Sequence, residues 1–181
     1  MSTRAIEYNL SLYWNSLWAD IPTWHYVVGL AVLVVGSVSL VMKFGVKRGF
    51  RHSLGVLLVE YIILIYCITV VSRNELEGSG YNFMPFWSYV SYFGGQCDSL
   101  LLENIMNVVV FVPVGVLAGA TFRGMSWMRV LVIGVGLSVG IEVMQFVFKK
   151  GFSEVDDVMH NTLGCAIGYG LWLMILRYVS K

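Results

Sequence analysis

A chain of 181 residues that is 57% hydrophobic and only 13% charged cannot cover itself with polar surface, since soluble domains carry about 25% charged residues. Its mean hydropathy of +0.74 places it among integral membrane proteins. The net charge of +1 gives no reason to expect a nucleic-acid partner.

In chain order, residues 1–23 form an amphipathic interfacial segment, with Ile6, Leu10, Tyr13, Trp14, Leu17 and Trp18 recurring at helical spacing. The segment lacks the basic start, short apolar core and cleavage site of a signal peptide. Residues 24–181 are read as a single transmembrane domain. Its five apolar runs, near 24–42, 52–72, 101–122, 127–148 and 157–179, match the ~20 helical residues that a hydrocarbon core requires. The runs are continuous rather than alternating, which excludes a membrane barrel. The expected fold is therefore an all-α membrane protein of about five transmembrane helices, with an N-terminal interfacial helix and an aromatic outer loop.

Basic residues orient the spans, because short cytoplasmic loops retain Lys and Arg. Lys43, Lys47, Arg48, Arg51, Arg123, Arg129, Arg177 and Lys181 fall on one side, against Arg4, Arg73, Lys149 and Lys150 on the other. This predicts a multi-pass membrane protein with the N-terminus outside and the C-terminus cytoplasmic. Cys67, Cys97 and Cys165 show no CxxC spacing and are read as thiols, not as a disulfide or zinc framework.

The loop between the second and third spans, about thirty residues long, exceeds what a plain connection needs. Its run Asn82-Phe83-Met84-Pro85-Phe86-Trp87-Ser88-Tyr89, followed by Tyr92 and Phe93, predicts a short helix or re-entrant segment over the outer mouth of the bundle. Three small-xxx-small pairs, Gly115/Gly119, Gly136/Gly140 and Gly164/Gly168, predict close packing among the last three spans. The fourth span, with Gly136 and Gly140 on one face and Glu142 and Gln145 on the other, is expected at the centre.

Polar residues in apolar runs are costly and mark candidate sites. Asn104 and Asn107 enter from the third span with Pro113 deeper, Glu142 and Gln145 from the fourth, and Asp157 and Asn161 from the fifth. By topology all converge at the level of the outer leaflet. The expected ligand-binding set is Asn82, Asn104, Asn107, Glu142, Gln145, Lys150, Asp157 and Asn161, with Glu142 and Asp157 as candidate general bases. A metal variant would use Glu142, Asp156, Asp157 and His160, but His160 has no neighbouring His, so neither metal nor cofactor is expected. Glu60, mid-way along the second span, is read as a protonated, hydrogen-bonded packing residue rather than one end of a proton relay with Glu142.

From Asn82 to Gly168 the order of motifs resembles the VanZ-like family: Asn-Phe-Met-Pro-Phe-Trp-Ser-Tyr, then Glu-Asn-Ile-Met-Asn with Phe111-Val-Pro-Val-Gly115, then Glu142-x-x-Gln145, then Gly-Phe-Ser-Glu-Val-Asp-Asp157 with Asn161. The resemblance implies a small bacterial membrane protein whose namesake lowers susceptibility to the glycopeptide teicoplanin. Many members resemble Gly-Arg where this chain has Lys149-Lys150-Gly151, so a planar fork is replaced by a point charge. Three function classes follow. The leading one lowers susceptibility to teicoplanin-type lipoglycopeptides by engaging membrane lipids, a lipid-linked envelope precursor or the lipoglycopeptide itself. The others are a membrane enzyme modifying a lipid-linked envelope precursor and a proton-coupled small transporter.

Overall fold

The structure is a computed structural model, and it describes residues 42–43, 46–71, 73, 80–95 and 99–179. The interfacial segment 1–23 and nearly all of the first expected span lie outside the described residues. Among those described, helix α1 (Val46–Tyr66) runs into a π-helical turn, Cys67–Val71. Strand β1 (Gly80–Asn82) and short helix α2 (Trp87–Phe93) follow. Helices α3 (Leu100–Thr121) and α4 (Trp127–Phe148) come next, then strand β2 (Phe152–Glu154) and helix α5 (Val155–Val179).

Four of these stretches, Phe50–Val71, Leu100–Thr121, Trp127–Phe148 and Val155–Val179, are long and apolar enough to cross a membrane. They correspond to the second to fifth expected spans. Their exteriors carry the signature of a lipid solvent: Val59, Ile63, Val132, Val147 and Leu163 are all exposed. Spans of this kind must satisfy their backbone internally, which the α-helix does.

Helix ends follow from local chemistry. Gly124, at φ 68°, reverses the chain after α3, and Ser126 caps α4 by accepting from Arg129 N–H. Lys149 ends α4 in the left-handed region at φ 55°, and the next N–H, of Lys150, donates to the Gln145 carbonyl at 2.9 Å. The chain then enters β2, which pairs in parallel with β1 in the register Gly80 to Phe152, Tyr81 to Ser153 and Asn82 to Glu154. Nothing in the hydropathy pattern forecast this ribbon, because three residues per strand are too few to show a period.

The centre of the bundle differs from the sequence expectation. Among the described spans the most extensive packing is between α3 and α5, with α4 next against α5, so the α3–α5 pair rather than α4 forms the main crossing. The reason lies in which glycines meet backbone. A Cβ on Gly164 would strike the Val108 carbonyl, one on Gly168 the Val112 carbonyl, and one on Gly115 the Cys165 carbonyl. Gly136 faces open space and contributes no seam; Gly134, one turn away from the expected pair's midpoint, touches Thr162 and Cys165 instead. Phe111, Val114, Ala118, Val130, Ile141 and Cys165 fill the core around this crossing.

Candidate functional site

Two polar clusters form at the end of the bundle where α1 and α4 finish and α3 and α5 begin. They occupy different sides of α5, whose first turn holds Asp156 and Asp157. Carboxylates are favoured there, because the first-turn N–H groups have no intrahelical acceptors and the helix dipole is positive at that end.

The first cluster fastens the aromatic loop. Asp156, fully buried, accepts from Phe86 N–H at 2.5 Å, Ser88 N–H at 3.0 Å and the Ser88 hydroxyl at 2.5 Å. Asn104 donates through Nδ2 to Ser88 Oγ at 2.9 Å. Tyr89 hydroxyl and His160 Nε2 stand 2.7 Å apart, and His160 Nδ1 lies 2.6 Å from the Asp156 carbonyl. Phe86, whose N–H meets Asp156, sits in the left-handed region at φ 63°. Trp87 donates its indole N–H to Glu154 Oε2 at 3.2 Å, so β2 is tied to the same loop.

The second cluster lines a cavity of about 320 Å³ between α1, α3, α4 and α5. Its polar end is made by Arg73, Thr69, Asn107, Glu142, Gln145, Asp157 and Asn161; its depth is apolar, with Leu64, Ile65, Ile68, Val110, Pro113 and Ile141. Glu142 Oε2 accepts the Glu154 backbone N–H at 2.8 Å, and Asp157 Oδ1 accepts Asn107 Nδ2 at 2.7 Å. Gln145 donates through Nε2 to the Thr69 carbonyl at 2.9 Å, a carbonyl within the π-helical turn. Such turns recur at functional sites because they displace backbone groups from the regular ladder. Asn161 donates to Ser138 Oγ at 2.8 Å. Arg73 is close enough to act electrostatically on both Glu142 and Asp157, and its guanidinium lies over the turn at Gly151, 2.8 Å from where a Cβ there would stand.

The structure thus gathers Asn107, Glu142, Gln145, Asp157 and Asn161 around one cavity. Asn104 belongs to the loop-fastening cluster. Asn82 ends β1 and accepts Met84 N–H at 3.0 Å, and neither Asn82 nor Lys150 lines the cavity. The cation at the polar end is Arg73, which the sequence reading used only for topology. Its signal was its place just beyond a span, on the side where Glu142 and Asp157 also end. Ser138 was also missed, though it shares the Glu142 face at helical spacing.

Helix α2 seats on α3 and on the Asp156 side of α5; no residue of 80–95 lines the cavity. Asp156 and His160, committed to that side, are separated from Glu142. Among the described residues no three His, Cys, Asp or Glu side chains are grouped to hold a metal ion. Glu60 does not line the cavity, and its buried Oε1 has no hydrogen-bond partner among the described residues.

Glu154 lies in β2, just outside the spans. Burial first, and the neighbouring Asp157 charge second, push its carboxyl up to about 7, against the Trp87 N–H that favours the ionised form.

Comparison with known proteins identifies the family. The VanZ/LLP1 family model matches residues 54–177, which contain all four described spans apart from their extreme ends. Protein VanZ of Enterococcus faecium is 33% identical over 132 residues, covering 71% of this chain and 81% of its own length. No solved structure matches the chain. A family model spanning most of the chain, and a relative at this identity and coverage, make this membrane protein a member of the VanZ/LLP1 family.

Proposed function

We propose that the chain lowers susceptibility to teicoplanin-type lipoglycopeptide antibiotics by engaging a lipid or lipid-linked group at the outer leaflet. The observation that carries this reading is the shape of the cavity: charged and amide groups at one end, then apolar walls running toward the middle of the bundle. A head group with an attached tail has that same division. The α1 side of the cavity runs from Tyr61 through Leu64 and Ile65 into the π-helical turn at Ile68 and Thr69.

Charge segregation supports the orientation. Arg51, Arg123, Arg129 and Arg177 gather at the end of the bundle opposite the cavity's polar end, so retention of basic residues in the cytoplasm turns that polar end outward. The C-terminus is then cytoplasmic. A membrane enzyme acting on a lipid-linked envelope precursor is the second reading. It is favoured by one observation, the nearness of two carboxylates and a guanidinium at the polar end.

The test is expression of the full chain in a glycopeptide-susceptible bacterium, with inhibitory concentrations of teicoplanin and vancomycin measured beside membrane abundance. Glu142→Gln and Asp157→Asn keep the acceptor oxygens that Glu154 N–H and Asn107 use, so the fold is retained. Both are expected to lose protection against teicoplanin at unchanged abundance. Full protection by both variants would overturn the proposal. A changed pool of lipid-linked precursor in wild-type cells, abolished by either variant, would favour the enzyme.

A further inference from the structure

The aromatic loop takes no part in the cavity, and the two faces of its helix are reversed from those of a helix in water. On α2 the side chains turned into the protein are small and polar: Ser88 is 1% and Ser91 8% exposed. Those turned outward are large and apolar. Phe86, Val90 and Phe93, spaced by four and three so that they share one side, are 55%, 62% and 81% exposed. Phe83 and Met84, just before them, are exposed as well. Single apolar residues are ordinary on any surface, but a run of them set against a buried polar side is not. Residues 80–95 contain no Asp, Glu, Lys, Arg or His.

The backbone of the same segment is satisfied from within. Met84 N–H donates to Asn82 Oδ1, Trp87 N–H to the Met84 carbonyl, and Phe86 and Ser88 N–H to the Asp156 carboxylate. Pro85 has no N–H, so every backbone donor from Met84 to Ser88 has an acceptor in the protein. At the far end Gly94 and Gly95 N–H reach the Val90 and Tyr92 carbonyls. A loop in water can leave such groups to solvent; backbone in hydrocarbon cannot.

Depth and continuity agree with this. Ser88 meets Asn104 and Tyr89 meets His160, which lie four and five residues inside spans that begin at Leu100 and Val155. That is roughly 6 to 8 Å at 1.5 Å per residue, the depth to which interfacial helices bury an apolar face. Sideways, the apolar surface runs onto the exterior of α4. Tyr81 stacks on Phe83 with ring centroids 5.0 Å apart and meets Phe146 edge-on at 6.2 Å. Phe146 continues the exposed stripe of Val132, Val135, Val139 and Val143. A protein partner would exchange about one hydrogen bond per 100–200 Å² of interface, and Phe83, Met84, Phe86, Val90 and Phe93 offer no polar group for it.

We propose that residues 83–93 form a membrane-embedded wedge, with Phe83, Phe86, Val90 and Phe93 among the lipid acyl chains of the leaflet at the cavity's polar end, held from behind by Asp156 and Asn104. The Asp156 cluster then has a physical purpose. Its carboxylate accepts the N–H groups that lipid would leave unpaired, which lets a chain broken at Pro85 sit at membrane depth. The wedge stands apart from the lipid-engaging reading of the cavity, since no residue of 80–95 lines that cavity.

The experiment uses the wild-type full chain in vesicles of phosphatidylethanolamine and phosphatidylglycerol, doped with a phosphatidylcholine that carries a diazirine midway along one acyl chain. After irradiation, labelled positions are mapped by pepsin digestion and mass spectrometry; a parallel sample receives a water-soluble diazirine instead. The acyl-chain reagent is expected to mark 83–93 to within about two-fold of its yield on 132–147 of α4, because both surfaces meet the same hydrocarbon. The water-soluble reagent is expected to mark the turn at 122–126 and to spare 83–93.

Marking of 83–93 by the water-soluble reagent at the level of the turn would overturn the proposal and put the aromatic face in water. Protection of 83–93 from both reagents would overturn it too, and would assign the face to protein, either a second copy or another segment of this chain. Neither result bears on teicoplanin protection, so the wedge and the cavity reading fail separately.

Discussion

Asp156 and Asp157 are neighbours in the chain, yet they leave helix α5 toward different surroundings. Asp156 meets three donors from one short segment, Phe86 to Ser88, and none of the side chains around it has an unpaired buried polar atom. Asp157 meets a single side-chain donor, Asn107, and borders a cavity lined by Gln145 and Asn161, each of which has a buried amide oxygen without a partner. A saturated network fixes geometry, because every buried group already has its partner; an unsaturated one beside a void constrains its neighbours less. The same residue type thus serves as a fastening on one side of a helix and as part of a cavity wall on the other.

The comparison breaks if the two aspartates prove equivalent. Asp156→Ala would leave three donors without an acceptor in a fully buried place, and about 3 kcal/mol or more of stability should be lost in thermal unfolding of the detergent-solubilised chain. Asp157→Ala removes one hydrogen bond next to a cavity and should cost only about 1 kcal/mol. Similar losses for the two variants would refute the distinction.

Gly168→Ala tests the scaffold that brings both faces together. Its new Cβ would collide with the Val112 carbonyl, a backbone atom that cannot move without separating α3 from α5. A loss of about 1–3 kcal/mol is expected, measured by the same unfolding curves. Gly136→Ala, facing open space, should be neutral or slightly stabilising and serves as its control. A reversal of the two would place the helix seam elsewhere.

The smallest effect concerns pH and joins the two faces, because Glu154 donates its backbone N–H to Glu142 and accepts the Trp87 indole N–H with its side chain. Its carboxyl is pushed up to about 7 from an ordinary 4.5, so between those values the folded chain binds the proton that the unfolded chain has released. Stability therefore falls as pH rises from 4.5 through about 7 and levels off above it. Glu154→Gln should flatten this part of the profile, read as the pH dependence of the unfolding midpoint between pH 5 and about 8. An unchanged slope in the variant would assign the dependence to other groups.

Much of this protein was legible in its residues. Continuous apolar runs place the four described spans within two residues or so at each end, since only helices satisfy a lone backbone in lipid. The stripe formed by Asp157, Asn161, Gly164 and Gly168 was readable from helical spacing alone, and so were the motifs that carry the family. Less was legible about partners. Gly136 and Gly134 look alike in sequence, and the rotation of α4 against α5 decides which one touches a neighbour. Lys150 and Arg73 were both cations near the expected site; the turn at Lys149 and Gly151 keeps Lys150 out of the cavity lining, while the π-helical turn brings α1 to a close beside it.

By itself the sequence determined the solvent, the helical spans and the polar residues that those spans carry into the membrane, because these depend on local composition and period. The sorting of the polar residues into a fastening and a cavity was decided only by tertiary structure. Which of two adjacent aspartates meets Ser88 and which meets Asn107 depends on how α5 is turned between α3 and α4. That angle is set by glycines that admit a neighbour's backbone, a contact between residues far apart in the chain.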